Sequence, residues 1–355
     1  MDKTLGILGG GQLGRMSAQA ATKLGIKTVI FTPEEGSPAS QIADKTIIAN
    51  YDDENALQKF SETVDVISYE FENIPVKTVR FLQNFKAVYP DDKLLEIAQN
   101  RIAEKTFLNT HGIPTANFKK GRGVSDIKNT LNDWKTGNAI IKTTRFGYDG
   151  KGQALIRSND DIQTAWDALN SDIVIIEEVI DFECEISIII ARDQKGHMET
   201  YGPCLNDHEH HILSKTTLPA PIAPEIAQKA IALAKNLAEA VNLVGVLTLE
   251  LFLTRDGRLL ANEIAPRTHN SGHWSIDACD VSQFENHVRA VCGMDVAPPN
   301  RHSDATMLNL IGDAVNNIAQ YEAQSSAFVH LYGKHEVREG RKMGHVTILT
   351  KKTNE

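Results

Sequence analysis

Two glutamates, Glu250 and Glu263, are the residues of this chain best placed to do chemistry. They lie in apolar runs at 244–254 and 258–264, separated by Asp256-Gly257. Asp-Gly between strand-like runs predicts a two-residue hairpin turn of the primed type. Such a turn pairs Arg255 with Arg258 and Thr254 with Leu259, and so brings Glu250 opposite Glu263. Opposed side chains stand about 5 Å apart on one face of a sheet, where like charges repel. Leu247, Leu249, Leu251 and Leu253 fill the other face, which predicts an interior ribbon. Two carboxylates held there must share a proton or a cation. Ligation by oxygen alone favours magnesium, completed by substrate phosphates. A one-residue slip of register would instead send one glutamate to solvent.

Other segments have the chemistry of anion sites. Gly9-Gly10-Gly11-Gln12-Leu13-Gly14 follows a strand and opens a helix, a place where backbone N–H groups hold phosphate. A dinucleotide site also wants an acid closing the second strand, and here that strand ends Phe31-Thr32-Pro33-Glu34. Gln12 and Arg15 point to the phosphate or sugar of some other ligand, and a tight turn alone is the bland alternative. A second glycine loop, Gly147-Tyr148-Asp149-Gly150-Lys151-Gly152-Gln153, follows a strand ending at Lys142. It lacks the Walker pattern and opens no helix, so it reads either as a flap over triphosphate or as a solvated hairpin. Glu177-Glu178-Val179-Ile180 ends an apolar strand as an adenine hinge would, and Glu185 follows within reach of a ribose. After Glu263, the string Arg267-Thr268-His269-Asn270-Ser271-Gly272-His273-Trp274 concentrates anion donors. Arginine suits planar anions such as carboxylate or bicarbonate, and a metal site through His269 and His273 is the rival. Lys334, Arg338, Arg341 and Lys342 form a basic cluster, either a solvated face or a phosphate pocket.

Positioning these groups requires alternating elements. Strands are expected at 5–8, 28–31, 46–48, 64–69 and 87–89, with a helix over 12–24 that stops at Gly25. Strand–helix alternation with short loops means a parallel sheet covered on both faces. A helix through Arg101 and Lys105 follows, then strands at 139–142, 153–156, 173–178, 185–191 and 198–201. An amphipathic helix over 224–241 leads into the diglutamate ribbon, and about 55 residues of mostly strand follow Pro298-Pro299. At 355 residues the chain has room for two or three domains. A net charge of −9 argues against a general nucleic-acid binder. Four scattered cysteines, no signal-peptide core and no run long enough to span a bilayer predict a soluble cytoplasmic protein with no membrane partner.

The order of flap, upstream lysine, hinge strand and facing glutamates resembles the ATP-grasp superfamily. More closely, Gly10–Met16 (10–16), Tyr69-Glu70-Phe71-Glu72-Asn73-Ile74, the 147–153 loop, residues 262–274 and 336–345 resemble the N5-carboxyaminoimidazole ribonucleotide synthetase family of purine biosynthesis. The resemblance runs from residue 4 to about 345. It implies an α/β (overall α+β) chain: a Rossmann-like domain over 1–100, an ATP-grasp domain over 101–295 with its lid at about 115–180, and a small β-rich domain over 296–355. Matched residue by residue, it implies that Arg101, Lys142, the 147–153 loop, Glu177, Glu178, Val179, Ile180, Glu185 and His208 surround ATP. Asn262 and Glu263 join them, and Glu250 and Glu263 carry Mg2+. Gln12, Leu13, Glu72, Asn73, Tyr148, Asp149, Arg267, Lys334, Arg341 and Lys342 would hold aminoimidazole ribonucleotide. Arg267, His269 and Asn270, with Lys142, would act on bicarbonate and the transferred phosphoryl group, through carboxyphosphate. A homodimer is implied as well. Against the family pattern, Ala265 stands where many superfamily members carry a metal-binding Asn, which makes Asn270 a candidate replacement. The 203–212 segment reads one residue short, and the 250–263 ribbon one long. The chain stops ten residues past His345, so a terminal strand or helix is expected to be missing. Rival readings are a nicotinamide oxidoreductase, a non-catalytic ATP sensor, a formate-dependent transformylase and, usually longer, a biotin carboxylase.

Overall fold

The computed structural model describes residues 3–147 and 151–353. The first sheet is parallel and holds β1 (Thr4–Leu8), β2 (Lys27–Thr32), β3 (Lys45–Ile48) and β4 (Val66–Tyr69) in the order β3-β2-β1-β4. The expected fifth strand at 87–89 is reduced to a single bridge, Ile67 to Val88. The helix Gln12–Lys23 starts directly after the glycines, and Gly25, at φ +71°, turns the chain out of it. Leu13, Met16 and Ala20 bury one helix face against Leu5, Ile7 and Ile30.

The single helix expected through Arg101 is two. Asp92–Ala98 ends, and Asn100 begins Arg101–Thr110 by accepting the Ile102 and Ala103 amides. Asn at a helix start satisfies amides that otherwise have no partner. That break aims the second helix, with Arg101, Glu104 and Lys105, at the diglutamate ribbon.

A small sheet follows: β5 (Phe118–Gly121), β6 (Ala139–Thr143), β7 (Gln153–Ile156) and β8 (Val174–Glu177), ordered β5-β8-β6-β7. Antiparallel pairing of β6 with β7 makes the second glycine loop a hairpin connection, with Lys142 opposite Gln153.

The largest sheet has eight strands. It contains β9 (Phe182–Arg192), β10 (Met198–Glu209), β11 (Ile212–Leu218), β12 (Gly245–Thr254), β13 (Leu259–Ala265), β14 (Ser303–Ile311), β15 (Ala327–Leu331) and β16 (Lys342–Lys351). Their order is β13-β12-β9-β10-β11-β14-β16-β15. The C-terminal β-rich segment therefore extends the central sheet, because β14 pairs with β11. Leu247, Leu249, Leu251 and Leu253 do share one buried face, packed with Ile186, Ile188 and the helix Pro224–Ala240.

Glu250 and Glu263 are cross-strand partners, by a route different from the expected one. The turn is a three-residue loop closed by Thr254 N–H on Arg258 O, with Gly257 at φ +80°. That loop puts Leu253, not Thr254, opposite Leu259, one residue off the predicted register. A bulge then takes up the difference: Leu251 faces Ala261, Glu250 faces Glu263, and Asn262 is the extra residue. Bulges re-aim side chains at sites where regular pairing would not.

Candidate active site

Around the ribbon the structure gathers residues from several strands, the helix Arg101–Thr110 and the turn at His269. Glu250 Oε1 lies 3.1 Å from His269 Nε2, and Glu263 Oε2 lies 3.4 Å from Arg101 Nη1. The two carboxylates titrate in opposite directions. Burial pushes Glu250 up, but the His269 hydrogen bond, with the Arg267 charge nearby, outweighs it and holds the carboxyl below its ordinary range. Burial and the charge on Glu250 push Glu263 up, against Arg101 and Lys142. Beside them, burial and then the two glutamates raise Glu185 to about 7. Glu104 is raised to about 8, by burial and by Glu263. Acids that raise one another in this way would be relieved by a shared cation. The donors are hard carboxylate oxygens without thiols, a set that fits Mg2+.

Cations face this cluster from the other side. Lys142 Nζ is 2.8 Å from Glu177 Oε2. Arg101 Nη2 donates to the Gly147 carbonyl at 3.1 Å, which ties the first helix residue to the glycine hairpin. His208 Nδ1 is 3.2 Å from Glu185 Oε2. Its position follows a register shift between Asp207 and His208. Glu178 accepts from Asn117 Nδ2 at 2.8 Å, and Val179 and Ile180 leave the strand half-exposed. Gly152 sits at φ +71° and its carbonyl accepts the Thr143 amide at 2.8 Å. Tyr148, Asp149 and Gly150 lie outside the described residues.

Three further groups here carry no signal in the sequence, Glu104 and Lys105 buried and Glu70 half-buried. Lys105, 2% exposed, reaches Glu177 Oε1 at 3.6 Å and the Asn262 carbonyl at 3.2 Å. Glu104 accepts the Ile264 amide at 2.6 Å, one residue past Glu263. Glu70 accepts the Gly11 amide at 2.8 Å and the Gly14 amide at 3.1 Å. The first glycine loop therefore turns its helix N-terminus onto an internal carboxylate, and a Cβ on Gly11 would stand 2.6 Å from Glu70 Oε1. Leu13 is a core side chain.

The anion string and the N-terminal domain meet directly, since Arg267 Nε donates to Glu72. Burial raises Glu72, but the Arg267 charge and hydrogen bond overcome it and bring the carboxyl down to about 2. Asn73 beside it is exposed. Gln283 holds the string in place: its Oε1 accepts the His269 amide at 2.9 Å and its Nε2 donates to the His269 carbonyl at 2.6 Å. Asn270 is half-buried, and both its amide atoms are enclosed without a partner. His273 goes elsewhere, buried against Phe284, Tyr332 and His345, so it does not join His269 as a ligand pair. Asp277, His330 and His345 lie close enough to suggest an ion. His330 and His345 stack within 14° of parallel, however, and imidazole lone pairs lie in the ring plane, so the two cannot aim at one ion without rotating.

The C-terminal basic cluster covers the first glycine loop's side of the molecule. Gln41 Nε2 donates to Gly333 O at 2.7 Å, and His335 Nε2 lies 3.2 Å from Gly36 O. Lys334 Nζ donates to Lys342 O at 2.6 Å, and Arg341 Nη1 to Glu336 O at 3.0 Å. Burial and the Arg341 charge lower Lys334 to about 8, against the pull of Glu70.

Comparison with known proteins agrees with this layout. Family models match for a ribonucleotide synthetase pre-ATP-grasp domain (1–99), an ATP-grasp domain (106–284) and a phosphoribosylaminoimidazole carboxylase C-terminal domain (305–355). N5-carboxyaminoimidazole ribonucleotide synthase of Brucella melitensis is 46% identical over 354 residues, covering 99% of this chain and 97% of its own. A solved ADP complex of an N5-carboxyaminoimidazole ribonucleotide synthetase superposes with a TM-score of 0.94 at 40% identity, covering 98% and 92%. The Aspergillus clavatus synthase, solved with ADP and 5-aminoimidazole ribonucleotide, gives 0.92 at 28% identity, covering 99% and 94%. The chain, with its pre-ATP-grasp, ATP-grasp and C-terminal domains, belongs to the N5-carboxyaminoimidazole ribonucleotide synthase family of ATP-grasp enzymes.

Proposed function

We propose that this chain uses ATP and bicarbonate to carboxylate the exocyclic amine of 5-aminoimidazole ribonucleotide, releasing ADP and phosphate. Bicarbonate attacks the γ-phosphorus of ATP to give carboxyphosphate and ADP. The amine then captures the activated carbon, directly or as carbon dioxide, and phosphate departs. The observation that carries the reading is the Glu250–Glu263 pair, flanked by Arg101 and Lys142 beneath a glycine hairpin and adjoining the Arg267–His269 segment.

Phosphoryl transfer spreads charge over phosphate oxygens, so catalysis there is mainly positioning and electrostatics. Lys142 and Arg101 supply fixed positive charge on the ATP side. Glu250 and Glu263 would hold Mg2+, which neutralises charge on the transferring phosphates. Glu178, Val179 and Ile180 suit the adenine, and Glu185 with His208 the ribose. Carboxyphosphate decays in water, so this reading requires water to be kept from the site during turnover. Arg267 and Asn270 face bicarbonate, and His269 stands between them in the chain, bonded to Glu250. Gln12, Leu13, Glu72, Asn73, Lys334, Arg341 and Lys342, with Tyr148 and Asp149 of the hairpin, hold the ribonucleotide. The Arg267–Glu72 pair supports this division by joining the two substrate regions. We further assign the enzyme to the cytoplasm, supported by its four free thiols, and expect a homodimer by analytical ultracentrifugation.

The decisive assay follows ADP release with bicarbonate and 5-aminoimidazole ribonucleotide omitted one at a time. Dependence on bicarbonate, with formate inactive in its place, is expected. ADP release indifferent to bicarbonate would refute the reading.

A further inference from the structure

Behind His269 runs a file of polar side chains that touches no substrate region: Ser271, Ser187, Asn206 and Thr216. Ser271, Ser187 and Thr216 have no exposed surface, and Asn206 is 6% exposed. They come from the His269 turn, β9, β10 and β11, so the file crosses three adjacent strands of the large sheet.

Its direction can be read from groups with only one possible role. The Ser271 backbone N–H approaches His269 Nδ1 at 3.3 Å, and an amide N–H can only donate. Nδ1 therefore carries a lone pair. Ser271 Oγ stands 2.9 Å from the same nitrogen and must donate as well. Its hydroxyl oxygen is then free to accept from Ser187 Oγ at 2.7 Å. Ser187 in turn accepts from Asn206 Nδ2 at 2.9 Å, and Asn206 Oδ1 accepts from Thr216 Oγ1 at 3.1 Å. Every link donates toward His269. The imidazole proton is left on Nε2, 3.1 Å from Glu250 Oε1. Gln283 meanwhile clamps the His269 amide and carbonyl, so the ring has a fixed pivot.

We propose that Ser271, Ser187, Asn206 and Thr216 are positioning residues that hold His269 as the neutral Nε2–H tautomer, a donor to Glu250. His269 then orients one oxygen of Glu250 and leaves the other toward Glu263. It does not serve as a base on the substrate, since its free lone pair faces the serine file. Groups behind a metal-binding carboxylate or histidine govern such orientation elsewhere, at a cost of about 10- to 100-fold when removed. The catalytic consequence rests on the ligase reading; the hydrogen-bond file does not.

The test uses the full chain labelled with 15N-histidine, without nucleotide, in long-range 1H–15N spectra. The His269 signals are identified by their loss in His269→Gln. A pyridine-like Nδ1 and a protonated Nε2 are expected. Asn206→Asp is isosteric and replaces the donor to Ser187 with an acceptor, so it reverses the file. It should shift His269 toward the Nδ1–H tautomer and lower kcat about tenfold at unchanged KM for ATP. Ser271→Ala should show the same split. A protonated Nδ1 in the unsubstituted protein overturns the proposal even if both variants fail to fold. So does a folded Asn206→Asp protein with wild-type spectrum and kcat. Failure of the ligase reading would appear separately, as no ADP release by a wild-type protein whose spectrum is as expected.

Discussion

Glu250 and Glu263 are the same chemical group in opposite surroundings. His269 supports the ionised form of one, while the charge so created resists ionisation of the other. Replacing Glu263 with Gln keeps its shape and removes the repulsion. Glu263→Gln should therefore abolish ADP formation while the melting temperature of the ligand-free protein holds or rises; a fall of several degrees would count against this account. Candidate site residues stand out in the sequence where they form a dense string, as Arg267 to Trp274 do. Glu70, Glu104 and Lys105 do not. Their partners lie 59, 160 and 157 positions away, and an isolated acid or lysine in a helix or strand end carries no sign of such a partner.

At the scale of elements, the central ribbon met its expected pairing because two departures cancelled. Asp256-Gly257 sits in a three-residue loop that shifts the register, and the bulge at Asn262 shifts it back. The two-residue turn with both central φ positive occurs instead at His210-His211, between β10 and β11. Such turns favour Asn and Gly, so two histidines gave no signal. Lys105 belongs to this scale because it joins the helix Arg101–Thr110 to β8 through Glu177 and to β13 through the Asn262 carbonyl. Removing one member of a buried ion pair leaves the other charge uncompensated. Lys105→Met should cost about 3 kcal/mol in urea unfolding, and a cost near zero would show that Lys142 alone satisfies Glu177.

Across the whole molecule, acids crowded at one end of a sheet make stability depend on pH. A carboxyl raised in the folded state keeps a proton that the unfolded chain has already lost, so stability falls as pH rises between the two values. Glu185 at about 7 and Glu104 at about 8 act this way. His287, lowered by burial to about 4, and His208, also lowered, act oppositely, but only up to the unfolded histidine value of roughly 6.5. Between pH 6.5 and 8 the carboxyls prevail. Thermal unfolding of the ligand-free protein should show stability dropping over that window. Mg2+ with ADP should flatten the drop, because bound cations favour the ionised acids. A flat or rising profile without ligand would sink the prediction.

The alternation of strands and helices, the leucine face of the ribbon and the two glycine loops follow from local pattern, since side-chain period and turn chemistry act within a few residues. Which surfaces meet is a different matter. That β14 extends the central sheet, that Arg267 finds Glu72, that Glu70 fills the first helix N-terminus and that four hydroxyl and amide groups line up behind His269 were decided by tertiary packing alone. Buried polar groups must be satisfied by whatever the fold brings near them, and nearness in the fold is not written in spacing along the chain.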